Sequence, residues 1–478
     1  MQEIKFDFNN LFSVSVGNYH GVLESELNDI IGQLQDAHKH LVSLITDSNA
    51  RKRLNLEWVM LPEQDVETVK SIQKLGKEIA KKYQNVIFLG IGGSYLGLKA
   101  AQDALAKDTP CIYFEGNNLD PDTLGPLLRK INPKKTFVVV ISKSGETTET
   151  KAAFMVVEAW LKKTVGKNYG RQILAITDPI SGALRKIVDA AQAKDVLSFR
   201  SFPLLKGVGG RFSELNMGLL HLAIIGVKID DLLKGALAMK KKCLDENILR
   251  NPACLYAALH YLLYKNKGKD IAILMPFSET LKSTADWYIQ LLAESLGKKY
   301  ARKIEVKGRE ENWEQDKNQV LNSGRTPISA RGTNDLHSIQ QNSIEGENNK
   351  VTTFIGVEKF RTDISVPGKK DILSGIKFSE LMRLAREGTE WALVRENRPN
   401  CSIIMPQITP YHWGGLLFFF EMATAYEGEL LNVNAYDQPG VESYKNYMYY
   451  KLGKPGLPAN ICDEIKNNPL VKDPKYII

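Results

Sequence analysis

Between Ser142 and Thr150 the chain reads Ser-Lys-Ser-Gly-Glu-Thr-Thr-Glu-Thr, with hydroxyls at Ser142, Ser144, Thr147, Thr148 and Thr150 around one glycine. A loop of this kind that opens a helix aims free N–H groups and the positive end of the helix dipole at one spot, which suits an anion. The P-loop pattern of glycines followed by Lys-Ser/Thr is absent and hydroxyls outnumber the single Lys143, so a terminal monophosphate fits better than a nucleoside triphosphate. An over-decorated helix cap is the alternative, because Ser and Thr favour helix starts anyway. Further along, Gln290-Leu291-Leu292-Ala293-Glu294-Ser295 sets Glu294 in an apolar helical pattern with Gln290 one turn earlier on the same face. Burial among those leucines would raise the carboxyl pKa and make Glu294 a better base, whereas a partly exposed glutamate at a helix end is the plainer reading. Arg211, behind the flexible turn Gly207-Val208-Gly209-Gly210, offers fixed donors to an oxyanion or phosphate unless it is an ordinary surface arginine. His337 follows the turn-forming Gly332–Leu336, where a structural histidine is the common case. Lys445 falls near the start of a helix after Tyr436-Asp437-Gln438-Pro439-Gly440; unless it is simply solvated, a cation there needs a compensating anion, either substrate or Glu442.

Strands and turns must bring these groups together. Val138–Ile141 is a short β-branched run bounded by polar residues, the pattern of a strand covered on both faces, and a helical pattern from Ala152 to Trp160 follows the hydroxyl loop. An amphipathic helix over about 64–83 leads into a strand at Asn85–Leu89 and then Gly90-Ile91-Gly92-Gly93-Ser94-Tyr95-Leu96-Gly97, where a helix begins near Leu96. A dinucleotide fingerprint would need a glycine where Tyr95 stands; Glu115, closing the strand-like Cys111–Gly116, keeps a nicotinamide enzyme open as an alternative. Gln172–Thr177 continues the strand and helix alternation. A second alternating block contains Ile271–Met275, Thr352–Val357 and Ser402–Met405, and a mostly helical stretch over about 212–265 separates the two. Repeated βα units of this length imply doubly wound, mostly parallel sheets, whose ligands bind at the carboxyl ends of the strands. The loops at Ser94 and at Ser142–Thr150 both lie at such ends. Residues 1 to about 60 read as peripheral and helical, without evident chemistry.

At 478 residues, 43% hydrophobic and 25% charged, the chain has the length for two or three domains and an ordinary globular composition. No stretch has the run of about 18 apolar residues of a membrane span, and the N-terminus is unlike a signal peptide, so a cytoplasmic location is expected. Five scattered cysteines without metal-ligand spacing set aside zinc and disulfides. The net charge of +8 invites a nucleic-acid reading, but the lysines are spread over helical faces and no binding motif accompanies them.

Six stretches, GIGGSYLG, SKSGETTET, GGRFS, ESLGK, GTNDLH and YDQPGVESYK, taken in order over residues 90 to 445, resemble the motifs of the phosphoglucose isomerase family of sugar-isomerase-domain proteins. The serine-rich loop is common among sugar-phosphate binders, whereas GGRFS and the DQPGVE segment are specific to this family. The resemblance implies an N-terminal helical segment (1–60), a smaller sugar-isomerase domain (61–250), a larger one (251–440) and a C-terminal helix and arm (441–478). It implies cofactor-free and metal-free interconversion of D-glucose 6-phosphate and D-fructose 6-phosphate through an enediol, in glycolysis and gluconeogenesis, by a homodimer.

Residue by residue, it implies that Ser142, Ser144, Thr147 and Thr150, with Gly93 and Ser94, hold the phosphate. Glu294 matches the base, Arg211 the group steadying the enediolate, and His337, supplied across the subunit interface, with Lys445 the pair assisting ring opening. Glu149 matches the carboxylate orienting that histidine, and Gln290 and Gln438 match substrate contacts. Gly145-Glu146, in place of a bulkier uncharged pair, and the acidic Glu214 after GGRFS depart from the pattern, and Glu146 beside a phosphate would repel it unless it points away. A non-catalytic sugar-phosphate sensor would keep Ser142–Thr147 but has no need of Glu294, His337 and Lys445 together.

Overall fold

The computed structural model describes residues 2–106, 110–308 and 310–478. Its strands, in chain order, are β1 (Lys5–Asp7), β2 (Asn85–Leu89), β3 (Cys111–Glu115), β4 (Thr136–Ile141), β5 (Ile173–Thr177), β6 (Arg200–Pro203), β7 (Ile271–Pro276), β8 (Lys298–Lys307), β9 (Glu310–Ser323), β10 (Thr326–Ser329), β11 (Lys350–Lys359) and β12 (Asn400–Gln407). One sheet runs β3-β2-β4-β5-β6 with every pairing parallel. The other runs β1-β12-β11-β7-β10, parallel except at its edge, where β1 pairs antiparallel with β12. β2, β4 and β5 are buried at every residue, as strands covered on both faces must be, and Val, Ile, Leu and Phe dominate them.

The two sheets are wound alike. In the first, the chain steps outward from β2 to β3 and then crosses back to β4; in the second, it steps from β7 to β10 and crosses back to β11. Each winding leaves a crevice at the carboxyl ends of the two strands where the direction of travel reverses, β2 and β4 in one sheet and β7 and β11 in the other. Both sheets and the helices around them form one compact unit ending at Ala435; Tyr436–Ile478 forms a second, with helices Glu442–Lys451 and Ala459–Asn467.

Two features depart from the sequence expectations. The first residues are not wholly helical, because Lys5–Asp7 supplies an edge strand to the second sheet. Strands β8 and β9 pair as an antiparallel hairpin in which Ile304 faces Trp313. Its lysines and glutamates conceal the alternation, and most of its residues are exposed or half-exposed, so no continuous apolar face marks it in the sequence. Its base is tied down by Arg302, whose two terminal nitrogens donate to Glu429 at 2.7 and 2.9 Å.

Candidate active site

Both loops expected to meet do arise at the first crevice, since Leu89 of β2 lies beside Val140 of β4. After β4, Ser142 Oγ accepts from the Gly145 amide at 3.0 Å and Ser144 Oγ accepts from the Glu146 amide at 3.1 Å. A hydroxyl that already accepts keeps its proton for donation, so the loop presents O–H donors and no lone pair is forced on an incoming anion. Gly145 makes the turn at φ +74°, and a Cβ there would come within 2.4 Å of the Leu184 amide nitrogen. Thr147 stands at the cap of helix Thr148–Val165 without using its side chain, which leaves the first-turn amides open. Glu146 is drawn along the helix to Lys151, 3.3 Å away, which answers the repulsion expected of an acid in this loop. Thr150 differs from its neighbours: it is buried, and its hydroxyl donates to the Gly116 carbonyl at 3.4 Å. It anchors the helix beneath the loop rather than facing a ligand, a correction to its expected place among the phosphate contacts. The periodicity of the helix explains this, since Thr150 points inward with Ala153, Phe154 and Val157.

The loop after β2 touches the other half of the site. A Cβ on Gly93 would lie 2.2 Å from the Gly210 carbonyl oxygen and 2.8 Å from the Arg211 nitrogen, so only glycine lets the two backbones meet. Gly92, at φ +59°, lies directly under the Gln290 side chain. Arg211, 3% exposed, is held on three sides: Nε donates to Ser295 Oγ at 2.8 Å, Nη2 to the Ala435 carbonyl at 2.8 Å, and Nη1 to Glu294 Oε2 at 3.1 Å. It is no surface arginine. Gln290 Nε2 donates to Glu294 Oε1 at 3.3 Å, while Gln290 Oε1 is enclosed without a hydrogen-bond partner among the described residues.

The expectation that leucines desolvate Glu294 is corrected. In helix Lys282–Leu296, Leu291, Leu292, Ser295 and Leu296 turn into the core, whereas Gln290 and Glu294 share a different face. The Glu294 side chain is 29% exposed, and its principal neighbour is a guanidinium. Sequence neighbours on a helix are about 100° apart around the axis, so apolar flanking residues do not make an apolar pocket. Ser295 and the Ala435 carbonyl, which orient Arg211, escaped the sequence reading; Ser295 lies inside the ESLGK motif, but a backbone carbonyl leaves no signal.

His337 lies exposed on the turn Asn334–His337 after β10 and makes no hydrogen bond or ion pair with a described residue, Glu149 included. In the C-terminal unit, Lys445 Nζ donates to Glu442 Oε1 at 2.8 Å, which supplies the anion its position near a helix start demands. Burial works against the charged lysine there, yet Glu442 outweighs it and holds the Lys445 pKa above its ordinary value. Gln438 precedes the short turn Pro439–Val441 in the same unit.

Glu214, the other acidic departure, points away from the loops. It is buried beneath Gly97, where a Cβ would meet Glu214 Cγ at 2.0 Å, and its Oε1 accepts from Trp287 Nε1 at 2.8 Å. Burial pushes its carboxyl up to about 8 against the opposing Trp287 hydrogen bond, and burial beside Glu214 pushes the hydrogen-bonded partner Glu421 well above the carboxylate range. A group raised on folding gives its full stability below its unfolded pKa and loses it as pH climbs towards the folded value. The free energy of unfolding is therefore expected to fall as pH rises from about 4.5 towards 8. Glu214→Gln is expected to flatten that slope by one proton in urea unfolding measured across the range; an unchanged slope would show that Glu214 ionises freely when folded.

The fold and site define a class: an α/β protein of two like-wound parallel sheets, with a hydroxyl loop, an arginine and a glutamate gathered at one strand-end crevice. The phosphoglucose isomerase profile matches residues 63–452. A glucose-6-phosphate isomerase of Carboxydothermus hydrogenoformans is 37% identical over 99% of both chains, and one from Levilactobacillus brevis is 34% identical over 96% of this chain and 98% of its own. Among solved structures, a hypothetical protein from Thermus thermophilus superposes with a TM-score of 0.80 at 29% identity, covering 94% of this chain and 99% of that one. A glucose-6-phosphate isomerase from Chlamydia trachomatis superposes at 0.72 with 23% identity over 91% and 87% of the two chains and shows the same fold. The chain belongs to the phosphoglucose isomerase family.

Proposed function

We propose that this chain interconverts D-glucose 6-phosphate and D-fructose 6-phosphate as an aldose–ketose isomerase of glycolysis and gluconeogenesis, acting in the cytoplasm as a homodimer. The observation that carries the reading is the contact of the Gly92–Gly93 turn with both Gln290 and Arg211, which joins the Arg211–Glu294 pair to the turn after β2, the strand beside the one that runs into the hydroxyl loop. Ser142, Ser144 and Thr147, with Ser94, grip the phosphate, whose binding energy holds the far end of the sugar at Glu294. His337 from a partner subunit, steered by Glu149, opens the ring together with Lys445. Glu294 then takes the proton from C2 of the aldose and returns it to C1, while Arg211 steadies the oxygen that becomes negative in the enediolate. Gln290 Oε1 accepts from a sugar hydroxyl, and Gln438 makes a second substrate contact. Each step moves only protons and one electron pair within the sugar, so a carboxylate and a cation suffice.

The test is a coupled assay for fructose 6-phosphate turnover in the presence of a chelator. Sustained turnover is expected; turnover that vanishes with chelator and returns with a divalent metal overturns the proposed chemistry. Removing one hydroxyl, in Ser144→Ala, is expected to raise KM about 10–100-fold with a smaller loss in kcat, since a removed hydrogen bond to a charged group costs about 1.5–3 kcal/mol. An unchanged KM would take the phosphate away from this loop.

A further inference from the structure

The second sheet repeats the winding of the first, and its own crevice, between the ends of β7 and β11, is a cavity of about 390 Å3. We propose that this cavity is a second binding site, for a small phosphate monoester; the ligand class rests on the phosphate reading of the first crevice, while the location rests on the winding alone. The loop after β7 places Ser278 and Thr280 in the wall, with their hydroxyl oxygens 3.0 Å apart. It occupies the place that the Ser94 loop holds after β2. The segment leaving β11 brings Lys359, Arg361 and Thr362, in the place of the loop after β4. The helix Lys282–Leu296 that begins beside this cavity has no side-chain cap, as is also true of the helix after the hydroxyl loop of the first crevice.

The charge balance favours an anion. Glu279 is offset by Arg331 at 2.6 Å, whereas Asp363 accepts from the amides of Ile364 and Ser379 and from the Ser379 hydroxyl and stays ionised, so Lys359 and Arg361 leave the wall with one positive charge in excess. Lys359 makes no ion pair with a described residue, and Arg361 donates to the Ala104 carbonyl and meets no carboxylate among the described residues. Two cations and three hydroxyls are left to face the cavity, and Phe378 and Met382 line the side where the body of the ester would lie. None of these groups takes part in the isomerase site, so the cavity can fill while the first crevice turns over.

Equilibrium dialysis of the full chain against labelled inorganic phosphate at low ionic strength reads the sites directly. Two equivalents per chain are expected, falling to one in Lys359→Glu and to one in Ser144→Ala/Thr147→Val, with turnover of Lys359→Glu near native. Glycerol 3-phosphate is expected to displace the second equivalent at least as well as phosphate does. One equivalent in the native chain, kept in Lys359→Glu and lost in Ser144→Ala/Thr147→Val, overturns the second site and leaves the first intact. One equivalent with the opposite pattern keeps the second site and removes the phosphate from the first. Lys359→Glu lies on an exposed strand end, so a folded, active variant is expected and its circular dichroism spectrum checks this.

Discussion

Replacing Glu294 with glutamine is expected to lower kcat by about 10⁴, the upper range for a positioned acid–base group, while the dissociation constant for the sugar phosphate moves less than a few-fold. Glutamine keeps an oxygen for Arg211 Nη1, which now donates to Oε2 at 3.1 Å, and turns its amide nitrogen towards Gln290, whose own amide can flip to accept through Oε1, so the pocket should hold its shape. Only the capacity to take a proton is lost. The retained sugar-phosphate affinity separates that loss from misfolding, and steady-state turnover and solvent-hydrogen exchange into C1 and C2 should disappear together. Near-native turnover, or exchange that survives the substitution, would falsify the assignment of Glu294 as the base.

Arg211 is expected to show the second largest effect. Arg211→Lys retains a charge but not the planar fork, and its three partners, Ser295 Oγ, the Ala435 carbonyl and Glu294, diverge too widely for one ammonium to serve. A fall in kcat of about 10²–10³, comparable with losing an oxyanion donor, is expected with KM nearly unchanged, because the developing negative charge exists only beyond the ground state. A rise in KM with native kcat would instead make Arg211 a ground-state contact. Some loss of stability is also expected, since the buried Ala435 carbonyl would lose its charged donor. Thermal unfolding of the variant apportions the two effects.

The fold was legible wherever burial left a continuous apolar run. Asn85–Leu89, Val138–Ile141 and Ile271–Met275 declare themselves because parallel strands covered on both faces have no polar side to blur the pattern. Lys5–Asp7 is three residues at an edge and too short for any periodicity, and the β8–β9 hairpin pairs through its backbone while most of its side chains stay exposed or half-exposed. In the candidate site, the hydroxyl loop and Arg211 were readable from composition and turn chemistry. The environment of Glu294 was not, because it depends on which way a helix is rotated and on an arginine 83 positions away in sequence. Thr150 was misplaced for a related reason: the loop was read as a string of hydroxyls, but the string enters a helix before it ends, and the helix turns its last member inward.

The meeting of Gly93 with Gly210, too close for even one added carbon, locks two stretches of chain more than a hundred positions apart into a single stiff piece. On the proposed function, the span from the hydroxyl loop to the Arg211–Glu294 pair would be a fixed gauge rather than an adjustable jaw. A phosphorylated sugar gripped by its charged end is thereby measured for length: one shortened by a carbon would stop short of the carboxylate, and a longer one would have to buckle to fit.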